Sequence, residues 1–155
     1  MISSHFDNAL STGEMVEVGM NCVDLTVFGA GTRAIGTQNL NGCTAVAIVS
    51  HLAAILAHIP PLPYITTDPN AGMKNLGARM AEVVALYREN ITLFPPESSS
   101  LVVGALIEEE LSLPDHVECV TGVLSREGLP PTTQYYPVRG PEELRLPAHG
   151  TLLID

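Results

Sequence analysis

Alternation and helical spacing divide the chain into a small set of elements. Residues 14–28 carry β-branched side chains in rough alternation, which predicts one or two strands. Residues 43–49 and 53–59 are two apolar runs. The β-branched content of Ala45-Val46-Ala47-Ile48-Val49 favours strand over one long apolar helix. Ser50-His51-Leu52 between them is short enough to make an antiparallel hairpin. Pro60, Pro61, Pro63, Asp68 and Pro69 then mark a loop. Beyond it Met73, Leu76, Gly77, Met80, Val83, Val84, Tyr87 and Ile91 recur at spacings of three and four, predicting an amphipathic helix over 71–91. Asp68 or Asn70 is placed to cap it, and Pro95-Pro96 forbids its continuation. Gly77 costs about 1 kcal/mol against alanine inside a helix; close packing on a sheet would explain it.

Residues 101–107 read as a strand. Ser112 and Pro114 open a second helix, with Val117, Val120, Val123 and Leu124 along one face and Gly128 at the C-terminal cap position. Residues 132–136 and 151–154 are two further strands, the last at an edge. Residues 1–14 are polar and small and read as a loose start. Strands interrupted by two helices predict an α/β fold, a layered sandwich of largely antiparallel β-sheet with two covering helices. The length of 155 residues suits a single domain over 15–155.

Composition narrows the function classes. Hydrophobic residues make up 46% of the chain, enough for a packed core, yet there is no Trp and only three Phe and four Tyr. The core must therefore come from Val, Leu, Ile, Ala and Met. Seven basic residues against 17 acidic leave a net charge of −10, which argues against nucleic acid and anionic membrane as partners. Glu108-Glu109-Glu110 reads as a solvated loop or helix start. Gly29-Ala30-Gly31-Thr32-Arg33 reads as a loop; its glycines suit an anion cradle only if a helix follows, and none is predicted. Three cysteines at irregular spacing make no disulfide framework, and the lack of a CxxC pair argues against structural zinc. No basic segment followed by an apolar one opens the chain, and the apolar stretch near 43–62 is too polar for a membrane span. The expected setting is cytoplasmic.

Candidate chemistry centres on Cys43 and His58. If 43–49 and 53–59 pair across a turn at 50–52, Cys43 falls close to position 59. His58 then lies within a residue of the point opposite it, across a spacing of roughly 4.8 Å. Gly42 lets the chain turn sharply, so backbone N–H groups around Asn41, Gly42 and Cys43 can point at a developing oxyanion. A cysteine thiolate with a neighbouring base is a nucleophile. The other reading of the same residues is a small buried hydrophobe and a satisfied core histidine. Cys22 and Cys119 take the buried reading. His5, His116 and His149 sit in polar surroundings and are expected to be exposed, and His51 marks the hairpin tip.

The stretch Thr37-Gln-Asn-Leu-Asn-Gly-Cys43-Thr-Ala-Val-Ala-Ile-Val, followed by Ala53-Ala-Ile-Leu-Ala-His58-Ile-Pro-Pro, resembles the chemotaxis receptor deamidases of the CheD family. That family reads roughly T-L-G-L-G-S-C-V-A-V, then G-x-x-A-H-x-x-L-P. Thr37 stands six residues before Cys43, as the family's threonine does before its cysteine. Leu40-Asn41-Gly42-Cys43-Thr44 is also similar to the L-S-G-C-T motif of the cytotoxic necrotizing factor toxins, which share a CheD-like fold and deamidate glutamine in small GTPases. The resemblance covers residues 37–62. Asn41 stands where those families carry a small Gly or Ser, and the Gly-Gly-Ala-x-Met-Phe segment of CheD has no counterpart.

The resemblance implies a cofactor-free, cysteine-dependent amidohydrolase acting on a protein substrate that carries a target glutamine. Cys43 would attack the carboxamide carbon and form a thioester, and His58 would move the protons. Thr37, through its hydroxyl or its carbonyl, would hold the imidazole in orientation. A primary amine in place of water would make the site a transglutaminase. The alternative is a CheD-like scaffold that has lost turnover and binds a protein partner.

Overall fold

A computed structural model describes residues 5–29, 31–138 and 151–154 of the chain. Its elements run α1 (His5–Ser11), β1 (Met15–Glu17), β2 (Cys22–Val27), β3 (Ala34–Thr37), β4 (Thr44–Val49), β5 (Ala53–Ile59), α2 (Ala71–Glu89), a 3-10 turn (Ile91–Leu93), β6 (Ser99–Ile107), β7 (Glu110–Leu111), α3 (Pro114–Arg126), β8 (Thr132–Pro137) and β9 (Leu152–Ile154). The protein is an α/β fold of two sheets and three helices among the described residues. The larger sheet has six strands. β2, β5, β4 and β6 lie side by side and antiparallel, and β7 and β8 both pair with β6. β8 runs parallel to β6, the crossover being made through α3. The smaller sheet is mixed: β1 pairs parallel and β9 antiparallel with β3.

Period-two alternation decides which residue faces which layer. Val46, Ile48, Ala53, Ile55, Ala57 and Ile59 point toward α2 and α3 and meet Leu76, Met80, Val83, Val120 and Leu124 in the main core. Ala47, Ala54 and Leu56 point the other way and pack on Val18 and Ile35 of the smaller-sheet layer. β4 and β5 are therefore covered on both sides, and all their side chains from Thr44 to Ile48 and from Ala53 to Ile59 are buried. That is why they read as continuous apolar runs rather than as alternation.

Several expectations are corrected. Residues 5–11 form a helix where a loose start was expected, with Ala9 buried. The alternating stretch 14–28 yields two strands, but they belong to different sheets. β3 follows the Gly29–Arg33 loop where no element was expected. Gly29 and Thr32 exchange both backbone hydrogen bonds at 2.8 Å, so those two N–H groups turn on each other rather than toward an anion. Of the two readings of the Glu108–Glu110 run, the structure shows the solvated loop: Glu108 and Glu109 take positive φ values of 52° and 68° and make the tight turn between β6 and β7. The residue that permits close helix packing is Gly72, not Gly77. A Cβ at Gly72 would lie 2.4 Å from the Pro61 carbonyl oxygen, whereas one at Gly77 meets nothing within 4 Å. Asn70 is the N-cap of α2 without a side-chain cap bond; Asp68 instead accepts the Asn70 backbone N–H at 2.9 Å. No helix among the described residues is long and apolar enough to cross a membrane.

Candidate active site

The register of the central hairpin places the candidate residues. Thr44 pairs with Ile59 and Ala45 with His58, one position off the expected alignment. Residues directly opposite in an antiparallel pair share a face, so His58 lies on the face of Ala45. Cys43 precedes β4 and packs in one cluster with Leu40, Ala45 and Val103, hence on that same face. Cys43 and His58 are thus diagonal neighbours on the side of the large sheet that meets the small one. The end of β5 is fixed from its other edge as well. The His58 carbonyl accepts the Asn21 backbone N–H at 2.7 Å, and Asn75 of α2 holds the Asn21 side chain at 2.8 Å.

Thr37 ends β3 and reaches His58 across the seam between the sheets. Its Oγ1 is 2.7 Å from His58 Nδ1 and 2.7 Å from the Val18 carbonyl oxygen. Thr37 and His58 are both buried, at 0% and 1% exposure. The hydroxyl has one proton, and a carbonyl can only accept. Thr37 therefore donates to Val18 and accepts from Nδ1–H. The tautomer follows: Nδ1 carries the proton and Nε2 carries the lone pair. Nε2 is buried and has no hydrogen-bond partner. The side-chain hydroxyl, not the backbone carbonyl, is the part of Thr37 that orients the ring.

Burial keeps this pair neutral. Desolvation pushes the Cys43 thiol above its ordinary value, offset in part by the Asn41 backbone N–H bonded to the sulfur. Desolvation likewise lowers His58 below an ordinary imidazole. Both groups are thus uncharged at neutral pH, no hydrogen bond joins the Cys43 sulfur to His58, whose Nε2 has no protein partner, and Cys43 is only 3% exposed. Leu101, Tyr136 and Leu152 pack against its cluster.

Tyr136 is the residue that sequence reasoning missed. On β8 it faces Ala105, two residues beyond the Val103 that faces Ala45. Its hydroxyl accepts the Gly42 N–H at 2.9 Å and donates to the Cys43 carbonyl at 2.7 Å. Burial and the nearby Cys43 push the phenol up to about 12, so it stays a donor at neutral pH. The Gly42 N–H, expected to be a free oxyanion donor, is engaged in this state, and Gly42 takes φ 107°. The Tyr135-Tyr136 pair on a predicted strand was the available signal, since alternation puts one ring on each face. The parallel pairing with β6 that carries it to Cys43 was not readable.

Of the other described cysteines and histidines, Cys22 borders the site and the rest lie away from it. Cys22 is exposed at the edge strand β2, opposite His58, rather than buried, and Cys119 is half-buried at the rim of the main core. His116 is buried in the first turn of α3, not exposed, and lines a cavity of about 280 Å³ with Pro61, Gly72 and Pro114. His51 is exposed at the hairpin tip near Glu97. His149 and the side chain of His5 lie outside the described residues. Among the described residues no three His, Cys, Asp or Glu side chains are grouped to hold a metal ion. No protein-family model matches the chain, and no curated protein matches it.

Proposed function

We propose that the protein is a cysteine amidohydrolase with a CheD-like arrangement of Cys43, His58 and Thr37, deamidating a glutamine side chain of a protein substrate. The observation that carries this reading is the relay Val18 C=O, Thr37 Oγ1, His58 Nδ1. It leaves a buried Nε2 lone pair on the face that Cys43 shares.

The chemistry follows from that state. Nε2 takes the thiol proton as sulfur bonds to the carboxamide carbon, so charge separates only with substrate in place. Proton return from Nε2 to nitrogen releases ammonia and leaves a thioester. Water, losing its proton to Nε2, then cleaves the thioester to glutamate and regenerates the thiol. The net reaction adds water and releases ammonia.

Stoichiometric labelling of Cys43 by iodoacetamide near pH 7, abolished by His58→Ala, tests the pair. A gain of one dalton in a lysate protein, dependent on Cys43, tests the activity. A slow thiol indifferent to His58 refutes the reading. The buried sulfur and the occupied Gly42 N–H favour a second reading, a scaffold of the same fold that binds a partner without turnover. Equal labelling of wild type and His58→Ala, with no dalton gain, is its signature.

A further inference from the structure

We propose that Tyr136 is a positioning residue for Cys43, its hydroxyl clamping the Gly42–Cys43 turn so that the sulfur stays on the Asn41 N–H and on the His58 side of the sheet. The proposal rests on the hydrolase reading for its purpose, but its geometry stands without it. One hydroxyl bonds both ends of a two-residue segment, accepting from Gly42 N–H and donating to Cys43 C=O. The segment contains the candidate nucleophile and the glycine whose φ of 107° few other residues adopt. A turn of that kind has no sheet ladder to hold it, because β4 begins only at Thr44.

The Asn41 N–H on the sulfur is the one interaction that favours the Cys43 thiolate against burial. Asn41, Gly42 and Cys43 are consecutive, so this contact depends on the turn keeping its shape. Tyr136 belongs to β8, which is bonded along its length to β6 and is fixed independently of the turn. It is 93 residues from Cys43 in sequence, so the clamp is a tertiary device and not a local turn preference. Its neighbour Tyr135 lies on the other face, half exposed, and serves as control.

The test is the pH dependence of Cys43 alkylation, read by intact mass, in wild type, Tyr136→Phe, Tyr135→Phe and His58→Ala. Tyr136→Phe keeps the ring and removes only the clamp. It should raise the alkylation midpoint by about one pH unit and slow labelling at pH 7 about tenfold, since reactivity follows the thiolate fraction. Tyr135→Phe should match wild type. Gly42→Ala moves the same turn through the backbone alone, with no neighbour within 4 Å of the new Cβ, and should shift the midpoint in the same direction. The double variant should shift it no further than the larger single effect.

Tyr136→Phe that lowers stability but leaves the midpoint in place means that the hydroxyl serves the fold only, and the proposal is overturned. If His58→Ala abolishes labelling while Tyr136→Phe is silent, the hydrolase reading stands and the clamp does not. If His58→Ala is silent and Tyr136→Phe moves the midpoint, the clamp stands and the hydrolase reading does not.

Discussion

Thr37→Val is the most direct probe of the buried relay. Valine matches threonine in shape, so packing between the sheets is kept and only the hydroxyl is lost. Two buried groups then lack a partner, the Val18 carbonyl and the His58 Nδ1–H. Each orphaned buried group costs about 1–3 kcal/mol, which puts the loss near 2–4 kcal/mol once some relaxation is allowed. Against a total stability of about 5–15 kcal/mol for a domain, urea unfolding resolves this easily. The ring is also freed to exchange its proton between nitrogens. If orientation and tautomer together supply about 1.4–2.8 kcal/mol of transition-state stabilisation, labelling of Cys43 falls about ten- to hundredfold. Thr37→Ser keeps a hydroxyl and should recover most of both losses. The assay is iodoacetamide labelling followed by intact mass, run beside the urea titration on each variant. Wild-type stability and wild-type labelling in Thr37→Val would refute the relay. So would a serine variant as impaired as the valine one.

Further outcomes follow from burial and from the glycines. Gly72→Ala drives a Cβ into the Pro61 carbonyl oxygen and should cost about 1–3 kcal/mol, while Gly77→Ala, with open space around it, should gain up to about 1 kcal/mol; thermal melts of the two decide. Leu152 pairs with Thr37 across β3 and β9 and packs on the Cys43 cluster. Leu152→Ala should lower stability yet speed labelling of Cys43 several-fold, and an unchanged rate would show that this side chain is not what covers the sulfur. His58 and His116 are both held below the ordinary imidazole value by burial. The unfolded chain thus takes up protons first as pH drops below about 6.5. Stability is full above that point and declines as pH falls toward the lowered folded values, so a urea midpoint flat from pH 7.5 to 5 would contradict the burial. At the alkaline end Cys43 and Tyr136 are raised, so stability falls as pH climbs past the ordinary thiol value and through about 12.

How much of this was legible depends on the range of the interaction. The β4–β5 hairpin and helices α2 and α3 were readable because their signals are local. Two apolar runs with a three-residue connector leave few alternatives, and the 71–91 spacing matches the 19-residue α2. Cys43 and His58 were placed near each other by that one hairpin, but the expected register set them on opposite faces, and the shift of one position is what brings both onto a common face. Thr37 was different: β3 is four residues long, fully buried, and lies in the other sheet. Nothing in its own pattern marks a strand, and only the family resemblance drew attention to Thr37. For Tyr136 the local signal was only a tyrosine pair on a predicted strand; its role depends on β8 returning parallel to β6 after a helix. His116 was misjudged because its polar sequence neighbours are exposed on α3 while it alone turns inward.

A buried thiol that burial itself makes less acidic looks like a poor nucleophile, yet the surroundings argue for restraint rather than inertness. An inert core cysteine needs no unprotonated imidazole on its own face, and His58 Nε2 has no protein partner, a state it shares with His116 Nδ1 and Arg79 Nε. A thiol proton transferred within the seam creates two charges in a low-dielectric space, which is unfavourable until an incoming amide supplies a carbonyl to share the negative charge. On the hydrolase reading, the same desolvation that suppresses the thiolate would make reaction conditional on a substrate that displaces apolar side chains such as Leu40 or Leu152 packed in the Cys43 cluster. Small alkylating agents would be slowed, though not excluded, for the same reason, so Leu152→Ala should raise the labelling rate before it raises any turnover. Were labelling of the closed wild type already as fast as that of the opened variant, coverage of Cys43 would not be what restrains it.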